Sequence, residues 1–246
     1  MNFLKKIVQK LRWIQLKKAQ KRAFENEFNE FSSKSNRNFK LDFDDAIPYL
    51  NDKTSLTAFD AHYIYHPAWA SRIVKEVNPP VHIDISSTLH FCTQLSAFIP
   101  VEFYDYRPAM LTLDNLKSLK ADLTDLFFES NSIDCISCMH TIEHVGLGRY
   151  GDPIDPNGDI KAINELKRVV KPGGTLLFVT PVGKPKIVFN AHRIYGTNDI
   201  VQLFQGFSLR NFSLVKDNNE FVNNATVEQA YDENYGCGCF WFIKDK

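Results

Sequence analysis

The residues with the most chemistry in their spacing are His140-Thr141-Ile142-Glu143-His144. Two histidines around a glutamate in this order hold zinc in one class of protease, provided that a helix presents both imidazoles on one face. Here an apolar strand-like run, Ile133–Met139, leads directly into His140, and Gly146 and Gly148 follow almost at once. A helix of the required length is therefore not expected. Cys135-x-x-Cys138 and Cys237-x-Cys239 also invite a metal, but each pair lies in a β-rich apolar run. Strand residues three apart face opposite sides, so buried thiols are the better reading and no metal is assigned. His192 and His144 are candidate general bases, because imidazole changes charge near neutral pH. The acidic loop Gly151–Asp159, with Asp152, Asp155 and Asp159, reads either as a rigid turn capping the next helix or as a substrate-facing lid.

The elements that must position these groups are legible in outline. Helical patterns over Ala68–Val77, Thr88–Phe98, Asp159–Val170 and Asn198–Gln205 alternate with short apolar runs at Val81–Ile85, Val101–Asp105, Lys117–Ala121, Ile133–Met139 and Thr175–Thr180. Such alternation predicts a doubly wound, mostly parallel α/β sheet with helices on both faces. Phe207–Val215 and Cys237–Ile243 follow without an intervening helical pattern, which predicts an antiparallel terminal strand pair and seven strands in all. Ligands in such sheets bind beyond the carboxyl ends of the strands. Asp84–Ser87, Asp105–Arg107, Asp122, His140–His144 and Thr180–Gly183 are then the places where chemistry should gather.

Composition bounds the rest. The chain has 246 residues, 44% apolar and 24% charged, with no net charge and an odd number of cysteines. That is enough for one large domain with an appendage. All the charge in residues 1–24 is basic, so the remainder is mildly acidic and does not suggest nucleic-acid binding. No uninterrupted apolar leader is present, and reduced thiols and a cytoplasmic location are expected. Phe3, Leu4, Ile7, Val8, Leu11 and Ile14 recur at helical spacing among lysines. They predict an amphipathic helix over residues 1–30, followed by a linker over 31–66 and the main domain over 67–246. The helix would make a peripheral contact with the inner face of a membrane or with a protein, or pack on its own domain.

Two blocks carry a family resemblance. Ser132–Val145, with Glu143-His144 after the strand, and Glu165–Leu176, with Lys171-Pro172-Gly173-Gly174 before the next strand, resemble the class I S-adenosylmethionine-dependent methyltransferases. The likeness covers about residues 78–243, and Gly146–Pro153 is similar to a branch named only as a domain of unknown function. It implies S-adenosylmethionine as cofactor. Asp84 would orient its methionine part, Asp105 its ribose and Asp122 with Leu123 its adenine, with Ser86, Ser87, Tyr106 and His140 alongside. The implied activity is methyl transfer, with His192 or His144 taking a hydroxyl proton. The likeness brings no acceptor with it; it is the aromatic and acidic loop residues, Tyr150, Asp152 and Tyr195 with Glu143, that suit a polar acceptor, a small molecule or a glycan-like one. This chain has Ser86 and Thr88 where the family carries glycines. A Cβ there would crowd the cofactor, and a positive φ would be strained. The rival expectation is thus a catalytically inactive interaction module with the same fold, tethered through its N-terminal helix.

Overall fold

The computed structural model describes residues 2–246, the side chains of residues 2–7 and 9–11 excepted. The chain divides into two compact units, Met1–Ala58 and Phe59–Lys246.

In the first unit, helix α1 runs Asn2–Lys34, four residues beyond the expected end. The extension is held locally: Ser33 Oγ donates to the Glu30 carbonyl at 2.8 Å, and Lys34 pairs with Glu30. A 3-10 turn at Phe43–Asp45 returns Phe43 onto Phe24 and Phe28, with ring centroids 6.3 and 5.0 Å away. The interval expected to be a linker therefore folds back, in part, on its own helix. Val8, Trp13 and Leu16 are exposed. Phe3, Leu4, Ile7 and Leu11 of the expected stripe lie outside the described side chains. Among the described residues no helix is long and apolar enough to cross a membrane.

The second unit begins with α2, Ala61–Val77. Sequence reading placed Pro67 in its first turn; the helix starts six residues earlier because Asp60 caps it, its carboxylate accepting from the Tyr63 N–H. Pro67 then merely removes one rung. There follow β1 (His82–Ile85), α3 (Leu89–Leu95), β2 (Val101–Asp105), β3 (Leu116–Lys120) and β4 (Ile133–Met139). Next come α4 (Gly158–Val169), β5 (Val170–Val182), a small hairpin of β6 (Lys186–Val188) and β7 (His192–Ile194), and α5 (Thr197–Leu203). The chain ends with β8 (Phe207–Val215), β9 (Phe221–Val222) and β10 (Gly236–Lys244).

The main sheet has the order β3-β2-β1-β4-β5-β10-β8-β9. Strands β1 to β5 pair in parallel, and β10 inserts antiparallel between β5 and β8. The seven expected strands are present, and the two-residue β9 adds an eighth at the edge. Alternation along β5 shows how the layers form: Leu177 and Val179 face α2 and α3, while Phe178 faces α4 and α5. The lead-in expected to be a turn, Lys171–Gly174, is drawn into β5, with Gly173 at φ +77° and a register shift against β4. Strand order reverses between β1 and β4, which opens a crevice at their carboxyl ends.

Candidate functional site

Two adjoining clefts occupy that crevice. The first, of about 390 Å³, is walled by Asp105, Tyr106 and Arg107 after β2 and by Asp122, Leu123 and Thr124 after β3. The second, of about 610 Å³, lies between Glu143, Arg149, His192 and Tyr235. Ser86, His140, His144 and Tyr150 line both.

The turn after β1 decides whether the first cleft is open. Ser86 takes φ +56°, the left-handed backbone that a glycine would supply. Thr141 Oγ1 donates to its carbonyl at 2.9 Å, and its own N–H donates to the Tyr104 carbonyl. Thr88 has φ −74° and caps α3, its hydroxyl accepting from the Phe91 N–H. The second glycine position thus needs no unusual backbone, and the Ser86 side chain forms part of the wall without filling the hollow.

The two acids after β2 and β3 share one arrangement. Asp105 Oδ1 accepts from the Arg107 N–H at 2.7 Å, and Asp122 Oδ1 accepts from both the N–H and the hydroxyl of Thr124. Each carboxylate spends Oδ1 on fixing its own turn, and among the described residues its Oδ2 takes no hydrogen bond. Asp84 lies elsewhere. It is fully buried, lines neither cleft, and accepts from the Ser87 N–H and the Ser137 hydroxyl. Its influence on the site runs through Ser87, which lines the second cleft and whose Oγ accepts from the Met139 N–H.

The second cleft collects the imidazoles. A 3-10 turn, Ile142–His144, follows β4 in place of a helix, so His140 and His144 do not form the pair that H-x-x-E-H chemistry needs. His140, itself at φ +54°, contacts Glu143 through Nδ1 at 2.9 Å. His144 Nδ1 donates to the Ala191 carbonyl at 2.6 Å, which leaves Nε2 as the acceptor nitrogen, 3.8 Å from Glu143 Oε1. The β6–β7 hairpin carries Ala191 and brings His192 to the same cleft, tilted against Tyr235. Burial lowers the pKa of both His144 and His192, so each is a neutral base near pH 7.

Two residues expected to meet substrate are otherwise engaged. Asp152 Oδ2 accepts from the Gly146 and Gly148 N–H groups, and Oδ1 accepts from the Tyr150 N–H. It folds its own loop, although it still borders the first cleft. Tyr195 is buried away from both clefts, and its hydroxyl donates to Asp159 Oδ2 at 2.9 Å. Asp159 was expected to cap α4. It instead sits inside the first turn, where it also meets Arg193 at 3.5 Å, and Asn157 takes the cap position. Buried Arg193 donates to the Val145 carbonyl at 2.7 Å and so ties the loop after β4 to β7. The close approach of this loop to α4 requires glycine: a Cβ at Gly146 would lie 2.0 Å from the Asp155 carbonyl oxygen. Tyr150 stands at the shared mouth, with the Arg107 and Arg149 guanidinium groups 4.5 and 5.1 Å from its ring.

Sequence reasoning missed Tyr63, Arg149 and Tyr235 in the second cleft. The signal for Tyr63 was the Asp60 cap, which would have placed it on a helix; no local pattern marked the other two.

The strand order and the antiparallel terminal strands give a Rossmann-like, methyltransferase-like fold. The chain belongs to the family described as "Caenorhabditis protein of unknown function, DUF268", whose model matches residues 94–235. Among solved structures it is similar to the YcgJ protein of Bacillus subtilis, at 12% identity and TM-score 0.52, covering 74% of this chain and 99% of that one. It is also similar to the 1,6-didemethyltoxoflavin-N1-methyltransferase of Burkholderia thailandensis, solved with S-adenosylhomocysteine, at 12% identity and TM-score 0.51. That match covers 74% of this chain and 79% of the other. At this identity the likeness concerns fold alone. Comparison with curated proteins finds no match.

Proposed function

We propose that the protein is an S-adenosylmethionine-dependent methyltransferase acting on a small, polar, sugar-like acceptor. The observation that carries this reading is the open first cleft, with Ser86 in the backbone conformation of a glycine and two carboxylates each holding one oxygen free. Asp105 would take the ribose hydroxyls and Asp122 with Leu123 the adenine. The cofactor supplies an already activated methyl group, so the chain's own work is alignment and exclusion of water.

The second cleft suits the acceptor. Tyr63, Arg149, Asn190 and Tyr235 offer hydrogen bonds to a hydroxylated molecule, and His192 or the Nε2 of His144 would receive a hydroxyl proton. The exposed Val8, Trp13 and Leu16 of α1, set among bases, support a peripheral contact with an anionic surface through residues 1–24. Flotation with anionic vesicles tests that contact, and binding retained after deletion of residues 1–24 removes it.

Calorimetry with S-adenosylhomocysteine tests the central reading. A saturable heat with a micromolar-range Kd is expected. No heat at saturating ligand leaves the same fold as an interaction module without cofactor.

A further inference from the structure

Against the acceptor cleft, and sharing His140 and Glu143 with its wall, lies a cluster of metal-ligand side chains. The i, i+4 spacing of His62 and His66 places both imidazoles on one face of α2. Alternation along β10 turns Cys237 to the side of the sheet that α2 covers. His140 enters from the turn after β4. Donor atoms of His62, His140 and Cys237 all lie within 4.8 Å of one another.

The hydrogen bonds around these rings are those of ligand imidazoles. His140 Nδ1 is held by Glu143 at 2.9 Å, while its Nε2 is buried with no partner. His66 Nδ1 donates to the His62 carbonyl at 2.7 Å, and its Nε2 is likewise buried and unpartnered, with its ring 5.0 Å from that of His140. Metal-bound histidines characteristically give their second nitrogen to a carboxylate or a backbone carbonyl, which fixes the tautomer and aims the other lone pair. Two such lone pairs left bare in the interior are costly. A cation held among His62, His140 and Cys237 would satisfy that of His140.

We infer that His62, His140 and Cys237, with Glu143 orienting His140 and His66 adjacent, form a binding site for a borderline-soft divalent cation such as zinc. A nitrogen and sulfur donor set selects zinc or cobalt over magnesium or calcium. Three elements distant in sequence meet at this point, so the cation would fasten α2 to the sheet beside the wall formed by Tyr63 and Tyr235. The site shares His140 with both clefts and Glu143 with the second, so its test reads metal binding directly and does not depend on whether the first cleft takes S-adenosylhomocysteine.

The test uses the full chain, stripped with chelator and titrated with zinc chloride and, separately, with cobalt(II). One equivalent of zinc should bind and raise Tm. The cobalt form should show a thiolate-to-metal charge-transfer band. Cys237→Ser should abolish that band, whereas Cys135→Ser, altering a buried thiol elsewhere, should retain it. His62→Ala changes a half-buried helical residue and leaves the core intact; it should weaken zinc binding by at least about 100-fold, and Glu143→Gln by about 10–100-fold. Failure of the wild-type chain to retain zinc, or a charge-transfer band that survives Cys237→Ser, overturns the assignment. Should Cys237→Ser misfold, the zinc affinities of His62→Ala and Glu143→Gln decide it, and values equal to wild type refute the site.

Discussion

Thr141 holds Ser86 across the crevice: its Oγ1 donates to the Ser86 carbonyl at 2.9 Å, on the residue whose φ is +56°. A left-handed backbone costs an L-residue roughly 1–2 kcal/mol, part of which glycine gives back through its greater freedom when unfolded. Ser86→Gly should therefore be neutral or stabilising by up to about 1 kcal/mol in urea denaturation. Ser86→Val, β-branched in the same conformation, should destabilise by about 2 kcal/mol and narrow both clefts. A strongly destabilised Ser86→Gly would mean that the hydroxyl, not the backbone, is what the position requires.

Asp105 offers the cleft one carboxylate oxygen while the other fixes the turn to Arg107. Loss of a charged acceptor to a bound polar ligand costs about 1.5–3 kcal/mol. Asp105→Ala should weaken S-adenosylhomocysteine binding by tenfold or more in calorimetry. Unchanged affinity would remove Asp105 from the site.

Tyr195 separates a structural from a substrate role. Its hydroxyl bonds Asp159, which also meets Arg193, and that trio anchors the loop carrying Tyr150 and Asp152. Tyr195→Phe should lower unfolding stability by about 1.5–3 kcal/mol, the range for a hydrogen bond to a charged group, and leave S-adenosylhomocysteine affinity within twofold. A large loss of affinity at unchanged stability would return Tyr195 to the cleft.

The sheet was legible because buried parallel strands print as short apolar runs between helical patterns, and β4 was read to the residue as Ile133–Met139. The glycine substitutions at Ser86 and Thr88 were legible as a departure, but not their outcome. Whether a serine tolerates positive φ depends on Thr141, 55 residues away. The convergence of His62, His140 and Cys237 was invisible for the same reason: it is assembled by a helix cap, a left-handed residue and a strand face, none adjacent in the chain. Reading α2 from Pro67 hid even its one local trace, the i, i+4 pair His62 and His66. Asp84 was recognised as the acid of β1, yet only packing could reveal that the sheet closes over it.

That burial has a pH signature. Cys135 Sγ lies 3.4 Å from His82 Nδ1, His82 Nε2 bonds Ser137 Oγ at 2.8 Å, and the Ser137 hydroxyl donates to Asp84. Desolvation pulls His82 from 6.5 down to about 3 and pushes Asp84 from 3.8 up to about 6. Between those limits unfolded His82 binds a proton that the native ring lacks, so its contribution is full above pH 6.5 and lost as pH falls toward 3. Asp84 acts oppositely: the native carboxyl keeps a proton that the unfolded one has shed, and stability is lost as pH rises from 3.8 through 6. Each slope is about 1.4 kcal/mol per pH unit, so from pH 4 to 6 they nearly cancel. Substituting His82→Leu leaves only the Asp84 slope. The stability of wild type relative to that variant should then rise by about 3 kcal/mol from pH 4 to pH 6, two units at that slope. Asp84→Asn should give a difference of the opposite sign. Urea denaturation of the three proteins at both pH values measures it, and parallel pH profiles for wild type and His82→Leu would show that His82 carries its proton in the folded core.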